Sequence, residues 1–244
     1  MIGSSALIMM TLVATTAISG NTAEVDPSHR ASALVGPGIC DPGTELLRDG
    51  GGVVVRRCGS RGTVGGVGSN IDAASLNANG LLAVAEQGFV CSVSARDPYV
   101  SNAAPGVGIK ASCGGPSISA YGMSVTSAGQ NMLELAVNLA ATQAQCNAGY
   151  YTPSVHGYRY PYNCVRVGQS WGATGLGTSI DDSNAMAMRL VKKSSATGTY
   201  CDFDPAQLNG VIFKATLRCN GKWYEGYGSS VTAAANDAAV QAGA

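Results

Sequence analysis

An apolar residue, a glycine, then two positions after the glycine Ser or Asn, and Ile or Val directly after that: this pattern occurs four times in the chain. The versions are VGSNIDAASLNANGLLAVA from Val67, YGMSVTSAGQNMLELAVNLAA from Tyr121, LGTSIDDSNAMAMRLV from Leu176 and YGSSVTAAANDAAVQA from Tyr227. Their glycines, Gly68, Gly122, Gly177 and Gly228, lie 54, 55 and 51 residues apart. Cysteine keeps the same period. Cys40, Cys91, Cys146 and Cys201 are 51, 55 and 55 residues apart, and each is followed by a second, Cys58, Cys113, Cys164 or Cys219, 18 to 22 residues on. Two independent markers on one period predict a tandem array of four units.

The content of a unit follows from its punctuation. Between the cysteines lie strand-like runs such as GGVVVRRC, GVGIKASC and GVIFKATLRC, each preceded by a Gly/Pro/Asn/Asp turn region. In the last unit Asn220-Gly221 is a hairpin turn pair, and the strand it opens ends at the repeat glycine. Asp72, Thr126, Asp181 and Thr232 stand where a helix N-cap is expected, ahead of an alanine-rich helix. The fold class expected is α+β: four tandem β-β-β-α repeats of about 54 residues, each with antiparallel strands, one helix and one disulfide. The expected boundaries are 37–89, 90–144, 145–199 and 200–244, after a segment 1–23 and a linker 24–36. Alanines such as Ala234, Ala235, Ala238 and Ala239 let a helix lie close on a small sheet, while burying little apolar area. A disulfide offsets that deficit by about 3 kcal/mol for a loop of this length.

Eight cysteines, an even number and without any C-x-x-C, read as disulfides of an exported protein. The repeat favours Cys40–Cys58, Cys91–Cys113, Cys146–Cys164 and Cys201–Cys219, with bridges between neighbouring units as the alternative. The apolar run Ala6 to Ile18 is too short to span a bilayer and has the length of a signal-peptide core, although no basic residue precedes it. Residues 1–23 are therefore either a cleaved signal peptide or a retained apolar strand, and the expected location is extracellular. Only 12% of residues are charged, about half the usual share, and the fifteen basic and fifteen acidic residues cancel. Nothing in that balance attracts nucleic acid or an anionic membrane.

At FKATLRCNGKWYEGYGSSVTAAANDAAVQA, Phe213 to Ala242, the sequence resembles the second half of a double-stranded RNA-binding domain. Gly226, Gly228, Ser230, Ala238 and Ala239 match that family's strand-to-helix motif. The likeness implies a β-β-β-α layout. The phosphate-holding lysines are replaced by Val231, Thr232 and Ala235, so it implies no RNA contact.

The most unusual stretch is CNAGYYTPSVHGYRYPYNC, Cys146 to Cys164, which carries five of the ten tyrosines. Tyr150, Tyr151, Tyr158, Arg159, Tyr160 and Tyr162 are the candidate partner-binding residues, since tyrosine offers a flat apolar face with a polar tip. The plainer reading is that tyrosine favours strands and one face packs beneath the helix. His29 and His156 are far apart in sequence, and no ligand pairs have zinc spacing. The glycines of SWGATGLGTS fit neither a P-loop nor a dinucleotide fingerprint. Lys192 and Lys193 suit the negative end of the third helix. No nucleophile–base set is present, so neither catalysis, a cofactor nor a metal is expected.

Two functions remain. Low charge and small modules favour a secreted structural protein that assembles with itself into a fibre or coat, its N-terminal run adding a strand to a neighbour. The tyrosine hairpin favours a secreted binding module, an adhesin, inhibitor or effector, with a glycan or protein partner.

Overall fold

A computed structural model describes residues 44–48, 51–57, 63–93, 99–100 and 106–244. The N-terminal segment, the linker, Cys40 and Cys58, with the expectations attached to them, lie outside the described residues. The chain is α+β. In order it forms β1 (Thr44–Arg48), β2 (Gly51–Arg57), β3 (Thr63–Gly68) and α1 (Ile71–Glu86). There follow β4 (Ser92–Val93), β5 (Tyr99–Val100), β6 (Val107–Ser112), β7 (Ser117–Gly122) and α2 (Val125–Thr142). The third helix closes β8 (Gln145–Ala148), β9 (Thr152–Ser154), β10 (Gly157–Arg166), β11 (Gln169–Gly177) and α3 (Ile180–Thr197). Last come β12 (Cys201–Phe203), β13 (Gln207–Asn209), β14 (Ile212–Cys219), β15 (Lys222–Gly228) and α4 (Val231–Gln241).

The strands do not stay in separate small sheets under each helix. Strands β4 to β15 make one twelve-stranded sheet, and β1 to β3 a three-stranded one. Within each stretch ending in a helix the strands pair antiparallel. Between stretches they pair parallel: β7 meets β8 through the single pair Ser119–Asn147, and β11 meets β12 through Ala173–Cys201 and Thr174–Asp202. The Gly65 amide also donates to the Cys91 carbonyl at 3.2 Å. A helix returning antiparallel over its own hairpin brings the chain back beside the strand it just left, which makes the next pairing parallel.

Three disulfides join Cys91 to Cys113, Cys146 to Cys164 and Cys201 to Cys219. In the last two, the cysteines sit directly opposite each other across β8–β10 and β12–β14. Each bridge thus pins the short strand that makes a parallel join.

The helices rest on glycine. A Cβ at Gly66, Gly175 or Gly226 would lie 2.0 to 2.3 Å from the backbone of α1, α3 or α4, respectively. Ala234, Ala235, Ala238 and Ala239 are fully buried against that surface, so small residues on both sides allow the approach. The turn at Asn220-Gly221 is the two-residue hairpin loop expected, with φ of 55° and 72° and Cys219 paired to Lys222.

The helix caps are a correction. Asn70, Ser124, Ser179 and Ser230 are the N-caps, each side chain accepting from the backbone three residues on. Asp72, Thr126, Asp181 and Thr232 stand two residues inside. Two of them tie neighbouring helices together instead: Thr126 Oγ1 accepts from the Ser69 amide at 2.8 Å, and Thr232 Oγ1 from the Thr178 amide at 2.9 Å. Lys192 and Lys193 also differ from expectation, since the last turn of α3 holds no basic residue. Lys192 pairs with Glu134 of α2 at 3.0 Å and Lys193 donates to the Gly243 carbonyl at 3.3 Å.

Candidate functional site: a cleft between two strands

The tyrosine-rich hairpin divides by strand alternation. Tyr158, Tyr160 and Tyr162 lie opposite Gly177, Gly175 and Ala173, on the face that packs beneath α3. Tyr160 and Tyr162 are therefore core residues, 1% and 0% exposed. For Tyr162 this corrects the assignment to a partner surface, whereas Tyr160, though covered, reaches a cleft. The Tyr162 hydroxyl donates to Asn184 Oδ1 at 2.9 Å, and Asn184 Nδ2 donates to the Tyr121 carbonyl at 3.1 Å. Burial raises the pKa of that hydroxyl far above the ordinary tyrosine value, keeping it protonated. Tyr151 and Tyr158 are half-buried and meet ring to ring, 6.0 Å between centroids.

Arg159 projects to the opposite face, and it too is committed. Its Nη2 reaches both oxygens of Asp202, at 3.1 and 3.3 Å, across the join between β11 and β12. Only Tyr150, 76% exposed, stands in solvent as the sequence led one to expect. His156 packs edge-on against Phe213, 5.8 Å away, and does not form a pair with Arg159.

Tyr150 stands at the mouth of a cleft of about 430 Å³, which lies where β7 and β8 part. Ser117, Ser119 and Tyr121 of β7 form one wall, with Lys110 of β6 beside them; Asn147, Ala148, Gly149 and Tyr150 form the other. Tyr160 closes the interior, stacked on Tyr121 with centroids 5.4 Å apart and planes 30° from parallel. The lining offers hydroxyls, an amide, one amine and aromatic rings, and contains no carboxylate, histidine or thiol. A cavity of this size suits a small ligand or one segment of a larger one.

Counting from the repeat glycines explains why the cleft is here. Gly108, opposite Tyr121, corresponds to Arg159, opposite Leu176; Asn147 follows Cys146 as Asp202 follows Cys201. Where β11 and β12 meet, arginine and aspartate bridge the join. Where β7 and β8 meet, glycine and asparagine stand in those places and the strands share one ladder pair. Lys110, Ser117, Ser119, Tyr121 and Asn147 were not singled out from the sequence. The substitution of Arg159 by Gly108 between aligned units was the signal that could have found them.

Among the described residues no three His, Cys, Asp or Glu side chains are grouped to hold a metal ion, and no helix is long and apolar enough to cross a membrane. No protein-family model matches the chain, and no curated protein is similar to it.

Proposed function

We propose that this protein is a secreted, disulfide-stapled binding module of four tandem units, and that it engages its partner at the cleft between β7 and β8. The observation that carries this reading is the contrast between two equivalent joins, one bridged by Arg159 and Asp202 and the other open and lined by tyrosine, serine and asparagine. Hydroxyl and amide groups beside aromatic faces suit a neutral glycan, whose hydroxyls need hydrogen-bond partners and whose C–H faces stack on rings.

The four-unit reading is supported by the hairpin, glycine, cap and helix that precede and form each of α1 to α4, and by the three bridges. The likeness to the double-stranded RNA-binding domain is proposed as one of shape. With Val231, Thr232 and Ala235 in place of lysines, nucleic acid is not the partner proposed. Self-assembly into a fibre or coat ranks second, because the edge through which the sheet would extend is occupied by side chains of its own unit, as detailed below. Catalysis is not proposed for a cleft that lacks a general base of ordinary kind.

Saturation-transfer NMR of the unreduced protein against neutral trisaccharides of glucose, mannose and N-acetylglucosamine tests the proposal. Transfer to at least one sugar, lost in Tyr150→Ala, is expected. Absence of transfer to all three, or transfer undiminished in Tyr150→Ala, removes the glycan reading of this cleft.

A further inference from the structure

The last strand before α2 and the last before α3 are where the next stretch docks. Strand β11 shows how. Pro161 directs its carbonyl to the Gly149 amide at 2.9 Å, away from β11, so Thr174 opposite it turns its own N–H and C=O outward, toward β12. Strand β15 has the same construction. Thr216 directs its carbonyl to the Asp204 amide at 3.0 Å, so Glu225 opposite it turns outward. Glu225 and Thr174 both stand three residues before their repeat glycine. Among the described residues, however, β15 pairs with β14 alone.

Side chains of α4 occupy that edge. Gln241 Nε2 donates to the Glu225 carbonyl at 2.9 Å, and Asp237 Oδ2 accepts from the Tyr227 amide at 3.0 Å. The second contact has counterparts: Asn77 and Asn131, at the same distance from their glycines, donate to the carbonyls of Val67 and Tyr121. The first does not. Thirteen residues after the repeat glycine stand Leu81, Leu135 and Leu190, all fully buried, and then Gln241, which is exposed. At this exposed place a leucine would present apolar surface, and an uncovered strand edge would recruit another strand.

We infer that the fourth unit is a built cap, in which Gln241 closes the β15 edge against the strand of a second copy of this chain. The partner this edge fits is another copy, because the parallel join made at β11 and β7 is the one that β15 is shaped to repeat. The inference is independent of the cleft and of what binds there.

Sedimentation velocity across a concentration series tests it, with Gln241→Leu restoring the residue of the other three units. The native protein is expected to show no association through this edge. Gln241→Leu is expected to self-associate at least about tenfold more tightly, the scale of one buried leucine. Adding Glu225→Pro removes an outward N–H without touching the β14 ladder and should reverse the association. Circular dichroism and intact disulfides establish that each variant is folded. A folded Gln241→Leu that sediments as native, or association that Glu225→Pro leaves unchanged, overturns the cap.

Discussion

The joins β7–β8 and β11–β12 occupy equivalent places and have opposite characters. At β11–β12 two ladder pairs hold the strands, and Arg159 and Asp202, both largely covered, bridge the outer face. At β7–β8 one ladder pair remains, and Gly108 and Asn147 leave a tyrosine-walled cleft. Both joins follow the same plan, a hairpin, a returning helix and a parallel pairing. Replacing two or three side chains then converts a sealed contact into a site, without a change of backbone plan.

The largest effect expected separates the tyrosines that build the cleft from the one that offers a surface. Tyr160→Ala removes a buried ring from the Tyr121 stack and should cost about 3–5 kcal/mol, whereas Tyr150→Ala, at an exposed position, should change stability by less than about 0.5 kcal/mol. Urea denaturation of the two variants checks this. Equal losses would mean that Tyr150 is structural and that the cleft lacks a solvent-facing aromatic wall.

Next comes the staple of each join. Replacing Cys146 and Cys164 with alanine, or Cys201 and Cys219, should cost about 3 kcal/mol in either case. Hydrogen exchange should nonetheless distinguish them. Amides of β8, joined to β7 by one ladder pair, are expected to lose more protection than those of β12, joined to β11 by two and anchored by Arg159 through Asp202. Equal loss would make the ladder difference between the joins irrelevant to their stability.

A smaller effect is expected from Asp202→Asn. It removes a charge from a pair with 25% and 15% side-chain exposure and should cost about 1–3 kcal/mol. The reciprocal Asn147→Asp adds a carboxylate where Gly108 supplies no arginine and should gain nothing, as read by the same denaturation curves.

The smallest effect concerns Lys214 and Glu225 on β14 and β15. The Glu225 carboxyl is held below the usual value by its hydrogen bonds from Lys214 and then from the Tyr227 hydroxyl, and the Lys214 amine is held above its usual value by Glu225. A lowered carboxyl stabilises the fold above its unfolded value, and that contribution disappears as pH falls through the lowered one. A raised amine does so below its unfolded value and loses it as pH rises through the raised one. Both groups are exposed and screened, so melting of Lys214→Ala should match native at neutral pH. A clear drop would show the strand edge to be electrostatically held.

Much of the fold was legible because it rests on local rules. The Asn220-Gly221 turn, the close-packing alanines of α4 and the pairing of the described cysteines each follow from neighbouring residues or from the period. The caps were misplaced by two residues because Asn70 or Ser and, two positions on, Asp72 or Thr recur in every case, and either type can cap a helix. The continuous sheet was not legible, since its joins are made by strands of two to four residues whose partners lie far off in sequence. The hairpin tyrosines were half read: composition marked the stretch, but whether Tyr160 faces α3 depends on a register that only pairing with Gly175 defines.

The central claim is that the β7–β8 cleft is the binding site, and a plug tests it most directly. Ser117 lies exposed at the rim, so Ser117→Trp fills the mouth without entering the core. Saturation transfer from a trisaccharide that binds the native protein should vanish in Ser117→Trp while its denaturation curve stays native. Undiminished transfer with the cleft plugged would contradict the account and move the binding surface elsewhere on the molecule.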